Sequence, residues 1–327
     1  MLPRYLNLLC AIAALGCFCV LIAPAGAQDF PGRPVRIVVP QAPGGGTDIF
    51  ARAVGQRLSA RWGQPVVIDN RAGAAGTLGT DLVAKSPADG YTLLVTYAGS
   101  QAINQSLYAK LPFDSIKDFQ TVATIAVSPF FVVVQRNAPA KDLREFLALA
   151  RAKPGSISFA SSGNASVPHL IGEMLMHETG VRLLHVPYKG IAQALTDVLG
   201  GQVDSAITSV PSALQHVNNA SMRALAVTSS KRVSVAPSVP TVAESGIPNF
   251  EVNPWWGILA PAGTDMKIVR KINADMAELL KSAEAQAFFR AQGAETFVTT
   301  PEEFLKILVA DVEKWARVVK ASGARID

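Results

Sequence analysis

The sequence predicts an α/β fold with mainly parallel sheets. Two observations predict it, and the chain length adds the expectation of two domains. Short apolar runs typical of buried strands alternate with amphipathic segments along the whole chain. Glycine-rich loops follow the first two predicted strands and lead directly into helices. Removing the first 27 of the 327 residues leaves 300, which is enough for two domains of ordinary size.

The first predicted unit is a strand, a glycine-rich loop and a helix. Residues 35–40 form an apolar strand, residues 41–48 form the loop, and residues 49–58 form a helix with one apolar face. The loop glycines let a ligand approach the backbone closely, and Thr47 or Asp48 can cap the helix. Because the amides and dipole of a first helical turn favour negative charge, this first loop is a predicted anion site. A turn without a ligand is the alternative.

The first loop does not match the nucleotide-binding motifs. A P-loop requires lysine followed by serine or threonine after its glycines, whereas residues 47–49 are Thr-Asp-Ile. A dinucleotide fingerprint requires a third glycine early in the helix, but the next glycine after Gly46 is Gly55. Asp69 follows the first loop at about the sequence separation at which an acidic residue contacts the ribose in such motifs. The glycine spacing nevertheless disfavours a nucleotide.

A second unit repeats the same order. Residues 66–69 form a strand, residues 70–77 form a loop with two glycines, and a helix and a third strand at 91–96 follow. The side chains predicted to face inward from this helix are Leu78, Leu82 and Val83. Ligands of open α/β sheets bind at the carboxyl ends of strands, where both loops are expected to lie.

The chain is predicted to pass to another lobe after residue 127. Two apolar runs, at 122–127 and 130–134, are separated only by Ser128-Pro129. A helix at 143–152, a strand at 157–160 and a polar second loop at 161–166 follow, so the second half repeats the arrangement of the first. Further predicted elements are a helix opening at Pro168 and strands at 203–208 and 224–228.

Two amphipathic helices are predicted near the C-terminus. The apolar positions of the first are Ile268, Ile272, Met276 and Leu279, and those of the second are Phe304, Leu308, Val312, Trp315 and Val319. Thr300 followed by Pro301 and Glu303 predicts a capping box at the start of the second helix.

Residues 1–27 have the pattern of a secretory signal peptide. Arg4 is their only charge, residues 6–22 are almost wholly apolar, and Ala25-Gly26-Ala27 is a small-x-small cleavage site. Cleavage after Ala27 is predicted. The alternative is a retained membrane anchor, but the apolar core is shorter than the roughly 20 residues that span a bilayer.

All three cysteines lie within this leader, at Cys10, Cys17 and Cys19. The mature chain therefore excludes disulfides, thiol catalysis and cysteine metal sites. Residues 14–17 weakly resemble a lipoprotein box, but Ala14 occupies the position where leucine is usual. A periplasmic product released by cleavage is favoured, with lipid anchoring at Cys17 as the alternative.

The charge pattern argues against nucleic acid as a partner. The formal net charge is +5, and the basic residues are interspersed rather than clustered. The composition is compatible with attraction of small anions.

Residues that could support catalysis or metal binding do not form a known motif. His169, Glu173 and His177 share a helix face, but the His-Glu-x-x-His spacing is not present. Ser161 and His169 permit a nucleophile and a base, but a Gly-x-Ser-x-Gly motif is missing. A solvated or partly packed helix face is the simpler interpretation of His169, Glu173 and His177. His185 lies beside a predicted strand end, and a structural role is its simpler interpretation. Aspartates at predicted strand ends (Asp48, Asp69 and Asp204) are expected to accept hydrogen bonds or cap loops.

Several short phrases, taken together and in order, resemble one known family. They include Pro43-Gly44-Gly45-Gly46-Thr47-Asp48, Asn70-Arg71-Ala72-Gly73-Ala74-Ala75-Gly76, Asp89-Gly90-Tyr91-Thr92, Phe159-Ala160-Ser161-Ser162-Gly163 with His169-Leu170, His185-Val186-Pro187-Tyr188-Lys189-Gly190, and Gly201-Gln202-Val203-Asp204. On these residues the chain resembles periplasmic solute-binding proteins of the tripartite tricarboxylate transporter (Bug receptor) family. The resemblance covers essentially the whole mature chain.

The resemblance implies a two-lobed, Venus-flytrap receptor of the type II periplasmic-binding-protein fold, each lobe a mainly parallel sheet flanked by helices. Lobe 1 is expected to comprise residues 28–127 and 252–327, and lobe 2 residues 128–251. A small organic acid would bind in the cleft, and membrane permease subunits would be the partners. No catalytic residue, metal or cofactor is implied, and a monomer is expected. The alternatives are a receptor that signals through a sensor kinase and a secreted α/β hydrolase.

The resemblance also implies which residues bind the ligand. Backbone amides and waters at the first loop would hold one carboxylate, and the second loop would hold another. The expected ligand-binding residues are Ala42, Pro43, Gly44, Gly45, Gly46, Thr47, Asp48, Gly73, Ala74, Ala75, Gly76, Thr96, Ser161, Ser162, Gly163, Asn164, Ala165, Ser166, His169, Tyr188 and Asp204. Ala165 departs from the family pattern, where a glycine is expected, and its methyl group bears on the identity of the ligand's distal group.

Overall fold

The computed structural model describes residues 30–164 and 166–322. The predicted signal peptide, the predicted cleavage after Ala27, the alternative lipid anchor at Cys17 and the predicted ligand contact of Ala165 lie outside the described residues. Among the helices of the described ranges, none combines the length and the apolar character that a membrane span requires.

Eleven strands occur in the described residues. They are β1 (Val35–Val39), β2 (Val66–Asn70), β3 (Thr92–Tyr97), β4 (Phe119–Val127), β5 (Phe130–Gln135), β6 (Ser158–Ser161), β7 (Leu184–Pro187), β8 (Ser205–Ser209), β9 (Met222–Val227), β10 (Trp255–Pro261) and β11 (Glu295–Thr296).

Helices connect or flank these strands. They are α1 (Gly46–Trp62), α2 (Thr77–Ala84), α3 (Asn104–Leu107), α4 (Leu143–Ala152), α5 (Val167–Thr179), α6 (Ile191–Leu199), α7 (Val210–Asn218), α8 (Met266–Lys281), α9 (Ala283–Ala291) and α10 (Pro301–Ser322). A 3-10 turn (Ala74–Gly76) precedes α2, and a π-helical turn (Gly99–Ile103) precedes α3.

The strands form two separate sheets. Sheet 1 has the order β11-β4-β10-β3-β1-β2, and sheet 2 has the order β7-β6-β8-β5-β9. Helices α1, α2, α8, α9 and α10 pack on sheet 1, whereas α5, α6 and α7 pack on sheet 2. We call these two assemblies lobe 1 and lobe 2. The predicted two-lobed α/β fold is confirmed.

The sheets are mixed, however, rather than mainly parallel. Strand β1 pairs in parallel with β2 and β3, and β6 pairs in parallel with β7 and β8. The remaining pairings are antiparallel, and they involve β5 in sheet 2 and β10 or β4 in sheet 1. The reason is the chain path. Strands β5 and β10 are the first strands after the chain passes between sheets, so no crossover helix returns the chain to make them parallel to their neighbours.

The two passages between the sheets lie side by side. The Ser128 amide donates to the Pro254 carbonyl at 3.3 Å. The Thr228 hydroxyl donates to the Val252 carbonyl at 2.6 Å and accepts from the Phe130 amide at 2.8 Å. The strands of the two sheets separate between residues 127 and 130 and between residues 227 and 255. The predicted lobe boundaries at 127/128 and 251/252 stay predictions.

Two local predictions about helix starts need correction. Helix α1 begins at Gly46 with Gly45 as its N-cap, so Thr47 and Asp48 lie within the first turn instead of capping it. The helix can begin early because the Asp48 carboxylate accepts the Gly44 amide and closes the loop from inside the turn. Leu78 was expected to face inward, but it is 60% exposed. It stands in the first turn of α2 and covers Gly73 rather than the core.

The predicted capping box at α10 is confirmed. The Thr300 amide donates to the Glu303 carboxylate at 2.8 Å, and the Glu303 amide donates to the Thr300 hydroxyl at 3.2 Å. Most of the predicted apolar stripe of this helix, including Phe304 and Trp315, is buried against lobe 1.

Candidate functional site

A cavity of about 760 Å³ lies where the two lobes face each other. The predicted ligand-binding residues that line it are Ala42, Gly45, Gly46, Thr47, Gly73, Ala74, Ala75, Gly76, Ser162, Gly163, Asn164, Ser166 and Tyr188. The predicted residues that do not line it are Pro43, Gly44, Asp48, Thr96, Ser161, His169 and Asp204. Both predicted loops thus reach one cavity, because the strands before them end at facing edges of the two sheets.

Five helices begin at this cavity. Their N-cap residues all line it, and they are Gly45 of α1, Gly76 of α2, Ser166 of α5, Gly190 of α6 and Ser209 of α7. In none of the five does the side chain of the N-cap residue accept a hydrogen bond from a first-turn amide. Helices α4, α8 and α9 start away from the cavity, and each is capped by an aspartate or serine side chain. Helix starts at the cavity therefore leave donor groups and positive dipole ends available to a ligand.

The carboxylate of Asp48 is committed to the first loop. It lies within 2.9 Å of Arg52 and accepts from the Gly44 amide and the Asn70 side chain, each at 3.0 Å. Burial disfavours its charge, but the hydrogen bonds from Arg52, Gly44 and Asn70 outweigh burial and lower the pKa of this carboxyl. Asp48 is thus ionised and stabilises the first loop from behind the cavity wall.

A stacked histidine pair supports the second loop. The ring centroids of His169 and His185 lie 3.9 Å apart, with the planes inclined by 11°. The Nε2 atom of His185 lies 2.7 Å from the Ser161 hydroxyl, which accepts in turn from the Gly163 amide at 3.1 Å. Burial and the neighbouring His169 lower the pKa of His185 to about 4, although Glu173 opposes the shift. Ser161 and His169 therefore lie behind the cavity wall.

Aromatic residues close the side of the cavity near the passages between lobes. Trp256 donates from its indole nitrogen to the Thr47 hydroxyl at 3.0 Å and stacks against Tyr97 and Phe130. Burial raises the pKa of Tyr97 to about 12, against the opposing effect of the Val167 backbone N–H. The Tyr97 phenol is therefore neutral at physiological pH.

Tyr188 lines the cavity, and its hydroxyl is engaged by another residue of lobe 2. The hydroxyl donates to Asp197 on α6 at 2.7 Å. Burial raises the pKa of Tyr188 to about 12, and the Asp197 carboxylate contributes in the same direction. This bond fixes the segment that links β7 to α6.

Small residues form a seam where the lobes touch. A Cβ atom built on Gly190 would lie 2.7 Å from the Cβ of Ala42, and one built on Gly46 would lie 2.8 Å from the Ser209 hydroxyl. A Cβ on Gly44 would make only an ordinary contact, 3.7 Å from the Cβ of Ala192, so the close approach depends on Gly46 and Gly190. The N-termini of α1, α6 and α7 approach one another this closely only because glycine occupies these positions.

Two predicted contacts fall elsewhere. Asp204 precedes β8 at the end opposite the cavity, where it accepts from the Ser158 amide at 2.8 Å and the Ser158 hydroxyl at 2.6 Å. Thr96 is fully buried in β3, and its hydroxyl has no hydrogen-bond partner among the described residues. The structure does not bring either residue to the cavity.

The described residues do not bring the candidate metal ligands together, and they do not pair Ser161 with His169 as nucleophile and base. His169 contacts Glu173 at 3.2 Å, but His177 is exposed and lies near Glu178 instead. Within the described ranges, no three histidine, cysteine or acidic side chains lie close enough to share a metal ion. Ser161 contacts His185 rather than His169, and it is fully buried behind the cavity wall.

Sequence reasoning missed half of the cavity lining. The additional lining residues are Pro40, Gln41, Ala72, Tyr97, Tyr108, Phe130, Pro168, Lys189, Gly190, Ile191, Thr208, Ser209, Ser212 and Trp256. One signal was present for part of this set: Gly190 and Ser209 each follow a strand and precede a helix, as Gly45 does.

Comparison with known proteins identifies the family. Residues 50–324 match the profile described as the tripartite tricarboxylate transporter family receptor, TctC. The chain belongs to this receptor family. The resemblance inferred from the short sequence phrases is therefore confirmed.

TctC relatives resemble the chain over almost its whole length. Protein BugT of Bordetella pertussis is 37% identical over 325 residues, which are 98% of this chain and 100% of BugT. R. palustris Rpa4515 with adipate superposes with a TM-score of 0.89 at 35% identity, covering 91% of this chain and 100% of that one. MatC (Rpa3494) of Rhodopseudomonas palustris with bound malate gives a TM-score of 0.84 at 32% identity, covering 89% and 100%.

Proposed function

We propose that the chain is a periplasmic receptor that binds a small carboxylated metabolite in the cavity between its lobes and delivers it to a tripartite tricarboxylate-type permease. The five uncapped helix N-termini that line one cavity carry this proposal. Such termini favour anions through free amides and dipoles. Two come from lobe 1 and three from lobe 2, which suits an acid held from both sides.

The energies are sufficient for this role. Each hydrogen bond to a charged group contributes roughly 1.5–3 kcal/mol, and micromolar affinity requires about −8 kcal/mol. A few amide contacts from each lobe therefore exceed the requirement before the costs of ordering and desolvation. Bound adipate and malate in two relatives support a carboxylate ligand.

The cleft would work as a hinged clamp. Only the closed form brings all five helix starts to the ligand, so the ligand shifts the population by its preference for that form. The paired passages at residues 127–130 and 251–254 would serve as the hinge. The expected lobe boundaries lie within them. The permease would recognise the closed receptor. Residues 1–27 would direct export and be removed after Ala27.

A melting-shift screen tests ligand binding. Mature protein is unfolded, freed of bound ligand and refolded, then heated with di- and tricarboxylates, the matching diamides and nucleotides. A ligand at 100 times its Kd adds about 2.7 kcal/mol, which raises the melting temperature by a few degrees. A shift with acids but not diamides is expected. A shift with a nucleotide and with no acid would refute the proposal.

Delivery is tested separately from binding. Cells that contain the permease should take up labelled acid only when the receptor gene is present. Equal uptake without the receptor, together with tight binding in the melting screen, would favour the alternative in which the receptor signals through a sensor kinase.

A further inference from the structure

Lys189 places a positively charged side chain in the cavity wall. No other described residue that lines the cavity carries a charged side chain. Its two chain neighbours are fixed on opposite sides, because Tyr188 is bound to Asp197 at 2.7 Å and Gly190 lies against Ala42 of lobe 1. Lys189 is therefore anchored where lobe 2 meets the first loop.

Among the described residues, no acidic side chain forms an ion pair with the ammonium group of Lys189. The ion pairs that lysines form in the described residues involve Lys85, Lys117 and Lys271. The first loop contains one carboxylate, Asp48, and it is engaged by Arg52. The side chain of Lys189 is exposed and can reach a ligand between the loops.

The full positive charge of Lys189 can stabilise a second carboxylate on the ligand, which the neutral groups at the helix starts do less well. Amides and hydroxyls are neutral, and a helix terminus acts as only about half an elementary charge. Such groups can hold a carboxylate whether the rest of the ligand is charged or not. A second carboxylate in a partly enclosed cleft repels the first and loses hydration, and a nearby ammonium offsets both costs.

We propose that Lys189 is the counter-charge for a second carboxylate and makes the cavity selective for dianionic over monoanionic acids. This inference rests on the proposed receptor function. Lys189 belongs to lobe 2, and its neighbour Gly190 lies against Ala42 of the first loop of lobe 1, so Lys189 acts fully only in the closed cleft. It is a specificity-determining residue with an exposed side chain.

The test compares charge at constant ligand shape. Wild-type protein, Lys189→Met and Lys189→Arg are titrated calorimetrically with α,ω-dicarboxylates from succinate to suberate and with their monoamides. Lys153→Met is the matched control, because Lys153 is also exposed and in the same lobe but precedes β6 at the edge away from the cavity. Both methionine variants lose one positive charge.

The expected result is a change in selectivity. Lys189→Met should weaken dicarboxylates about 5- to 10-fold more than monoamides, a range between an exposed ion pair and a charged hydrogen bond. Lys189→Arg should retain most of the selectivity, and Lys153→Met all of it.

Two outcomes overturn the inference in distinguishable ways. If Lys189→Met weakens dicarboxylates and monoamides equally, Lys189 does not read ligand charge, although the receptor function stands. If the wild-type protein binds none of these acids, both this inference and the proposed ligand class fail.

Discussion

Replacement of Gly190 by alanine tests whether the lobes must close as the structure shows. A Cβ on Gly190 meets a single atom within 4 Å, the Cβ of Ala42 at 2.7 Å, and that atom belongs to the opposite lobe. Ordinary contacts begin at 3.4 Å, so the lobes must separate by about 0.7 Å to accept the methyl group. The backbone at Gly190 has φ −169° and ψ 154°, which any residue adopts. The change therefore burdens the closed cleft and not the fold.

The magnitude follows from hydrogen-bond geometry. An amide contact near 2.9 Å that lengthens by about 0.7 Å reaches about 3.6 Å and is no longer a hydrogen bond. Each lost contact to a charged ligand costs about 1.5–3 kcal/mol, which is roughly 10- to 150-fold in Kd. The assay is calorimetric titration with an acid that stabilises the wild-type protein.

Gly200→Ala is the matched control, because Gly200 stands at the other end of α6. A Cβ there meets only ordinary contacts at 3.5 Å or more, and its φ is −76°. Both variants reduce the entropy of the unfolded chain alike. Gly200→Ala should bind like wild type. If Gly190→Ala binds the acid as tightly as Gly200→Ala, the lobes do not close on this seam and the reasoning is wrong.

Three further predictions concern other parts of the chain. Ser166→Asp places a negative charge at the start of α5 and should weaken an acidic ligand at least tenfold by titration (roughly 1.4 kcal/mol or more); unchanged affinity would remove the second loop from the site. Because the folded chain holds the pKa of His185 near 4 and the unfolded chain restores it to 6.5, stability should decrease as the pH falls from about 6.5 towards 4. Urea unfolding of His185→Gln should show a weaker decrease, with His216→Gln as control; equal slopes would contradict this. Thr300→Ala removes a hydroxyl that accepts the Glu303 amide and should cost about 1 kcal/mol in urea unfolding, whereas no loss would mean that the cap contributes nothing.

Much of the local structure was predictable from the sequence. Strands β1, β4 and β5 are rich in apolar and β-branched residues, and α10 carries both a capping box and a regular apolar stripe. These signals are local, so sterics, hydrophobic periodicity and capping specify them before any tertiary contact forms. The short helices α6, α7 and α9 were not predicted.

The cavity was only partly predictable. The two loops were predictable because glycines and serines follow predicted strands. Trp256 and Phe130 were not predicted, because they reach the cavity from strands that follow the passages between lobes. The orientation of those strands was not predicted either. They run antiparallel to their neighbours, and the sheets are therefore mixed.

By itself, the sequence determined the family, the alternation of strands and helices, and the two loops whose amides stay open to an anion. These follow from residue order, since glycine conformations and apolar periodicity act over a few neighbouring positions. Only the tertiary structure decided that five helix starts meet at one cavity and that Lys189 is the charged residue among the described residues that line it. The physical reason is that these relations depend on how residues more than a hundred positions apart pack across two sheets, which local patterns do not encode.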